Sequence, residues 1–297
     1  MAERGFEASA RDVRVAVVGS ATLDFVYKVK DLPEGGQKYA AEAVDIVGGG
    51  CAANAAVAIA RLGGKPQLIA RFGQDTVAET VLGDMLSEHV DTSLCQTSQT
   101  GRSALSSVYV DRAGERQVMA FRGAGLAEQP GAFDLAAEAV LADTRWPAAS
   151  RQVIEMGRAL GVPCVLDGEA PVPVELAAAA SHVVFSEQGL RAFTGMEDVH
   201  AAYAALDLPG WCAVTLGADG VRHPGGVLPG FKVEVKDTLG AGDVWHGAFT
   251  LRLAQGASEM EAMLFAHAAA ALKCTGFGGR KAAPSRAEVE EFLKERV

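Results

Sequence analysis

Positions 236–249 read KDTLGAGDVWHGAF. Two carboxylates, Asp237 and Asp243, flank Gly240-Ala241-Gly242 where a strand pattern hands over to an apolar helical one. A helix start leaves several backbone N–H groups without partners, and its dipole favours negative charge there. Glycines let such a backbone approach a ligand closely. The segment therefore reads as a cradle for an oxyanion or phosphate, with Asp243 beside it as a proton acceptor. Phosphoryl transfer uses both parts, because its barrier falls mainly through positioning and through stabilising charge on the moving group. A positioned base contributes ~10²–10⁴-fold, and a donor in an anion hole ~10²–10³-fold. The plain alternative is an ordinary strand–helix turn in which Asp243 is only a cap.

These residues need elements to hold them. An apolar run at 13–20 ends in glycine and reads as a buried strand. Alternation at Phe25–Val29 and around Ala43–Val47 predicts exposed strands, and 51–64 predicts a helix bounded by glycines. A second buried strand is expected over 66–73, then an amphipathic helix over 75–90 with a capping acid. Residues 103–121 carry a hairpin signal with its bend at 111–115. From about 139 onward strand and helix alternate, with strands at 163–169, 182–187 and 211–217 and helices at 148–161 and 187–195. The tail reads as a strand at 231–235 and helices over about 242–255, 259–273 and 285–296. This order predicts an α/β fold with a mostly parallel sheet covered on both faces. The early strand pairs break the rhythm and read as a small β-sheet lid, built from insertions at about 25–47 and 103–121. No repeat or linker divides the chain, so 1–297 is expected to be one domain.

The bulk numbers exclude several classes. With 27 basic and 37 acidic residues the formal charge is −10, and no basic stripe offers a nucleic-acid surface. The five cysteines, Cys51, Cys95, Cys164, Cys212 and Cys274, form no CxxC pair and no disulfide framework. The first 14 residues are polar and charged, unlike a signal peptide. No apolar run reaches the ~18 residues of a membrane span. A reduced, cytoplasmic setting is the expectation. A GxxxxGK[ST] loop, a GxGxxG after the first strand, HExxH and GxSxG are all absent.

The string DTLGAGD at 237–243 resembles the second signature of the ribokinase-like (PfkB) carbohydrate kinase family. GGGCAANAAVAIARLGG at 48–64 is similar to that family's first signature. GSATLD at 19–24, VTLGADG at 214–220 and AHAAAALKCTGFGG at 266–279 resemble further family elements, in the family's order and across nearly the whole chain. The resemblance implies a three-layer α/β/α fold and a kinase using ATP and Mg²⁺. It implies Asp243 as the base and the N–H groups of Gly240, Ala241 and Gly242 as the anion hole. Asp24, Gly49, Gly50 and Asn54 would hold sugar hydroxyls, joined by Asp143 as in some relatives. Thr215, Gly217 and Gly220 would line the nucleotide, with His267 beside the base. Asp237 would help to bind a monovalent cation such as K⁺. Lid sheets in this family often pair across a homodimer, and the apolar alternation of Phe25–Val29 fits that.

Departures from the family pattern matter as well. Many relatives organise Mg²⁺ with an Asn-x-x-Glu element, where this chain has Ser186 and Gly189. Glu187 is the carboxylate left to act, through water. Cys51 stands where ribokinases carry lysine and ketohexokinases asparagine, which weakens ribose as substrate. His246, one turn after Asp243, is expected to be structural, and Arg145 and Arg122 to be solvated. The resulting expectation is ATP-dependent phosphorylation of a hydroxyl, primary by preference, on a small sugar or sugar derivative. A nucleoside kinase of the same fold is one alternative. A catalytically weak sugar-binding or regulatory protein is the other.

Overall fold

Strand β1 (Arg14–Val18) alternates between two apolar clusters, with Val15 and Val17 in one and Ala16 and Val18 in the other. Period-two alternation with both faces buried is the signature of a sheet covered by helices on each side. A computed structural model describes residues 13–113 and 115–296. The polar stretch 1–12 and Gly114, inside the expected bend, lie outside these residues.

After β1 come β2 (Thr22–Lys28) and β3 (Ala43–Gly49), then helix α1 (Cys51–Arg61) and β4 (Lys65–Ile69). Next are β5 (Arg71–Gly73), α2 (Thr76–Ser87), β6 (Gln96–Ser98), β7 (Leu105–Val110) and β8 (Arg116–Phe121). The alternating part runs β9 (Ala139–Ala142), α3 (Pro147–Leu160), β10 (Cys164–Gly168), α4 (Val174–Ala179) and β11 (His182–Ser186). It continues through α5 (Glu187–Thr194), α6 (Val199–Ala204), β12 (Trp211–Thr215), β13 (Val221–His223) and β14 (Gly226–Leu228). Three helices follow: α7 (Ala241–Ala254), α8 (Glu259–Cys274) and α9 (Arg286–Lys294).

The central sheet has the order β14-β13-β12-β11-β10-β9-β1-β4. It is parallel from β4 to β12, and β13 and β14 add an antiparallel edge. Helices α1, α7 and α8 cover one face through Ala53, Phe249 and Ala266, while α3 and α5 cover the other through Val153 and Leu190. This is the expected three-layer α/β/α arrangement. No helix among the described residues is long and apolar enough to cross a membrane.

A separate sheet, ordered β3-β2-β7-β8, forms from the two early strand pairs. Its register puts Phe25, Ile46, Ser107 and Met119 side by side on one face, with Asp24, Val47 and Ser106 on the other. The first face is open: Val44, Ile46 and Met119 are 56%, 53% and 70% exposed. The second turns inward, and Asp24, Val47 and Ser106 are buried.

Two strand expectations are corrected. The run 66–73 is not one strand. It divides at Ala70, so that β4 joins the central sheet while β5 pairs with β6 in a ribbon of its own. The segment 231–235 is not a strand. The β13–β14 hairpin already occupies that edge of the sheet. After Gly230 the chain is held by the helical layer instead. Phe231 meets Phe292 edge-on at 5.2 Å, and the Lys236 N–H bonds the Cys274 carbonyl at 2.8 Å.

Candidate active site

Strand β1 has β4 on one side and β9 on the other, so the chain changes direction between β1 and β9. In open α/β sheets the crevice at the carboxyl ends of such strands is where ligands bind. Ser20 follows β1, Asp143 follows β9, and Asp167 lies near the end of β10. Asp143 Oδ2 accepts from the Ser20 N–H at 2.7 Å and the Ser20 hydroxyl at 2.8 Å, and its Oδ1 accepts from the Arg145 N–H at 2.8 Å. Burial pushes its carboxyl up, and the Ser20 and Arg145 amides oppose this. The Cys51 N–H donates to Ser20 Oγ at 3.0 Å, which ties the start of α1 to the same knot.

Helix α7 begins at Gly240, whose φ of 77° lies in the left-handed region that favours glycine. A Cβ on Gly247, one turn beyond Asp243, would meet the Ala55 carbonyl at 2.7 Å. Glycine there lets α7 lie directly on α1. That close crossing brings Asn54, on α1, to Asp243, and Asn54 Nδ2 donates to Asp243 Oδ2 at 2.7 Å. The other side-chain atom, Asn54 Oδ1, is buried without a partner. Burial pushes the Asp243 carboxyl above the usual range, opposed by Asn54, His246 and Cys51.

Asp24, on the inner face of the lid, accepts from the Thr22 hydroxyl at 2.9 Å and from the Ser106 hydroxyl. Its Oδ2 faces Gly49, where a Cβ would collide with the carboxylate. Gly50 follows directly as the N-cap of α1. Asp143 and Ser20, the start of α1 at Gly50–Cys51, and Asn54 with Asp243 are thus linked at the carboxyl ends of β1 and β9, and Asp24 lies against Gly49 just before that helix.

Asp167 was not singled out from the sequence. It is 6% exposed. One ligand atom each from Asp167, Asp243 and Cys51 lies within 4.8 Å of the others. Its carboxyl is pushed up to about 7 by burial, with His246 opposing and the Asp243 and Asp143 charges adding to the rise. The available signal was a carboxylate near the carboxyl end of an apolar parallel strand. His246 Nδ1 lies 2.8 Å from the Gly242 carbonyl, and its Nε2 lies 3.7 Å from Asp167 Oδ1. Nε2 also lies 3.2 Å from the Val184 carbonyl, so the ring ties α7 to β10 and β11. Burial keeps the Cys51 thiol well above its ordinary range, so it remains protonated.

The residues assigned to the nucleotide are less gathered. Thr215 ends β12 and bonds the Phe185 carbonyl at 3.3 Å. Gly217 and Gly220 shape the turn after it, with φ of 56° and 102°. His267 is 5% exposed. Its Nδ1 accepts from the Trp245 indole N–H at 3.1 Å, and its Nε2 lies 3.3 Å from the Leu228 carbonyl. The ring is thus a buried tie between α7, α8 and β14, without a nitrogen to spare for a base. Glu187 starts α5 on the surface and pairs with Arg191 at 3.2 Å, while Ser186 caps the helix through the Gly189 N–H at 2.9 Å. Arg145 bonds the Ala170 carbonyl at 2.7 Å, and Arg122 is exposed.

Asp237 does not offer the open oxygens of a cation site. The buried Lys273 ammonium already sits on it, 2.7 Å from its carbonyl and 3.2 Å from Oδ2. Burial alone would raise the Asp237 carboxyl, but the Gly279 and Leu239 amides and the Lys273 ammonium outweigh it and hold the carboxyl low.

A three-layer α/β/α fold with a β lid, a carboxylate at a glycine-rich helix start and an amide beside it define a phosphotransferase of the ribokinase fold. The pfkB family carbohydrate kinase profile matches residues 12–286, and the chain belongs to that family. Ribokinase from Bacillus subtilis is 27% identical over 291 residues, covering 94% of this chain and 99% of its own. A crystal structure of a provisionally assigned ribokinase from Agrobacterium tumefaciens superposes with a TM-score of 0.87 at 37% identity, covering 95% of this chain and 98% of its own. Arabidopsis thaliana ribokinase, complexed with ribose and ATP, superposes with a TM-score of 0.82 at 25% identity, covering 95% and 99%.

Proposed function

We propose that the protein transfers the γ-phosphoryl group of ATP to a primary hydroxyl of a small sugar or sugar derivative. The observation that carries this reading is the Asn54–Asp243 pair, 2.7 Å apart, with Asn54 Oδ1 left as a buried acceptor. A buried acceptor without a partner is costly, and a sugar hydroxyl would satisfy it. Asp24 and the Gly49 amide supply the further acceptor and donor that vicinal hydroxyls need. Similarity to ribokinases, one of them complexed with ribose and ATP, supports both the sugar and the donor.

In this reading the acceptor hydroxyl gives its proton to Asp243 as its oxygen attacks the γ-phosphorus in line and ADP leaves. Burial raises the proton affinity of Asp243 and so makes it a better base. The amides of Gly240, Ala241 and Gly242 face the charge that builds on the phosphoryl oxygens. The lid closes over the sugar and excludes water, which would otherwise compete as acceptor. Mg²⁺ takes oxygen ligands and keeps several waters, so Asp167, beside the base, fits it better than the Arg191-paired Glu187. When bound it would neutralise charge on the phosphates. The lid's open face, with Val44, Ile46 and Met119, is the surface we assign to a homodimer.

The test is acceptor-dependent ADP formation with MgATP across pentoses, ketohexoses, sugar acids and nucleosides. A sugar turned over fastest is the expected result. A nucleoside turned over fastest would replace the substrate class and keep the site. Sugar binding without ATP consumption in any case would overturn the kinase reading.

A further inference from the structure

Among the described residues, Lys273 is the one lysine buried completely, at 0% exposure. It lies in the last turn of α8, where a helix favours positive charge. Burial pushes its ammonium below the usual lysine range, and Asp237 opposes that. The cost is met by specific partners: the Asp237 carbonyl at 2.7 Å and Asp237 Oδ2 at 3.2 Å.

The rest of Asp237 is also engaged. Oδ1 accepts from the Leu239 N–H at 2.8 Å, and Oδ2 accepts from the Gly279 N–H at 2.9 Å and the Gly278 N–H at 3.2 Å. A hard monovalent cation takes carboxylate and carbonyl oxygens, and those of Asp237 already face an ammonium of the same charge. A second cation would stand beside Lys273 with one carboxylate between them, which like-charge repulsion in a buried setting disfavours. The donor set therefore does not fit the K⁺ that the family resemblance implies.

The turn that this pair holds leads into the anion hole. Asp237 Oδ1 fixes Leu239, the Ala241 N–H bonds the Thr238 carbonyl at 3.2 Å, and α7 starts at once. We propose that Lys273 is a tethered substitute for the monovalent cation: its ammonium positions the 237–239 turn, and through it the Gly240–Gly242 amides, so that phosphoryl transfer does not depend on K⁺. The proposal rests on the kinase reading above. Lys273 is a positioning residue and touches no reacting atom.

The test compares activity in K⁺, Na⁺ and choline chloride at equal ionic strength, for the wild type and Lys273→Ala. A pocket of about 250 Å³, lined in part by Asp237, Leu239, Phe277 and Gly278, opens beside the turn and gives an ion a route to it. The wild type should be equally active in all three salts. Lys273→Ala should lose about 10- to 100-fold in choline, as misplaced catalytic groups do, and recover in K⁺. Without any substrate, K⁺ should raise the melting temperature of the variant and leave that of the wild type unchanged. If Lys273→Ala does not fold in choline, Lys273→Met keeps the buried stem, and folding of either variant only in K⁺ supports the proposal. Three results overturn it: a wild type stimulated by K⁺, a variant active and indifferent to K⁺, or variants unfolded in every salt. A protein that consumes no ATP with any acceptor would defeat the kinase reading instead, and the melting experiment would still decide whether Lys273 stands in for a cation.

Discussion

In the reading proposed above the site has an acceptor wall and a donor wall, and the two are built differently. On the acceptor wall, side chains hold one another: Ser20 to Asp143, the Cys51 amide to Ser20, Asn54 to Asp243, and His246 near Asp167. On the donor wall, Thr215 bonds a backbone carbonyl, Gly217 and Gly220 shape a turn, Glu187 pairs on the surface and His267 is enclosed. One wall is a wired network of acids and amides. The other is backbone and ordinary packing. A network places a proton acceptor within a narrow tolerance, which chemistry requires. A nucleotide is held adequately by main-chain groups and shape, and these tolerate many side chains.

Substitutions on the two walls should therefore differ in size and in kind. The largest effect is expected for Asp243→Asn, which keeps the shape and removes the base. Its turnover should fall by ~10²–10⁴-fold, with sugar affinity retained, and single-turnover kinetics with isothermal titration would measure both. Full turnover in this variant would remove the assignment of the base.

Asn54→Ala should come next. It deletes both the amide that holds Asp243 and the unpartnered acceptor, so kcat/KM for sugar should drop by about 10- to 100-fold. KM for ATP should stay level, and an equal rise in both KM values would mean the two walls are not separate.

Asp167 tests the same wall through stability. Its carboxyl is raised to about 7, so between the unfolded value of about 4 and that point the folded state binds the extra proton. Stability from this group is full at low pH and is lost as pH rises through the folded value. Asp167→Asn should gain over wild type in melting temperature at about pH 8 by more than at about pH 5. Calorimetry across that range gives the answer, and a parallel offset at both ends would count against the raised carboxyl.

The smallest effect on activity is expected on the donor wall. His267→Asn removes the acceptor of the Trp245 indole, so it should lower the melting temperature while leaving KM for ATP in place. A selective rise in that KM would return His267 to the nucleotide.

Much of this molecule could be read from residue order. The mostly parallel α/β sheet follows from the alternation of apolar strands and amphipathic helices. The lid follows from the period-two runs in Phe25–Val29 and 103–121. Asp243 with its glycine turn is a local string, and Gly240 at positive φ is a local need, so both are written within a few residues. The failures share a cause. A strand at 231–235 satisfied the pattern but found its edge of the sheet taken by β13–β14, and no local pattern reports a missing partner. Arg145, expected in solvent, instead bonds the Ala170 carbonyl, and the ring of His267 is engaged by the Trp245 indole and the Leu228 carbonyl, contacts that no local pattern reports.

Propensity, periodicity and turn chemistry act over a few residues, so the chain alone specified the elements and the Gly-Ala-Gly-Asp turn. Tertiary packing joined Asn54 to Asp243 across 189 residues, drew in Asp167 and seated Lys273 on Asp237. Those contacts arise only once helices close on a sheet, because burial sets both the distances and the proton affinities that make the group a site.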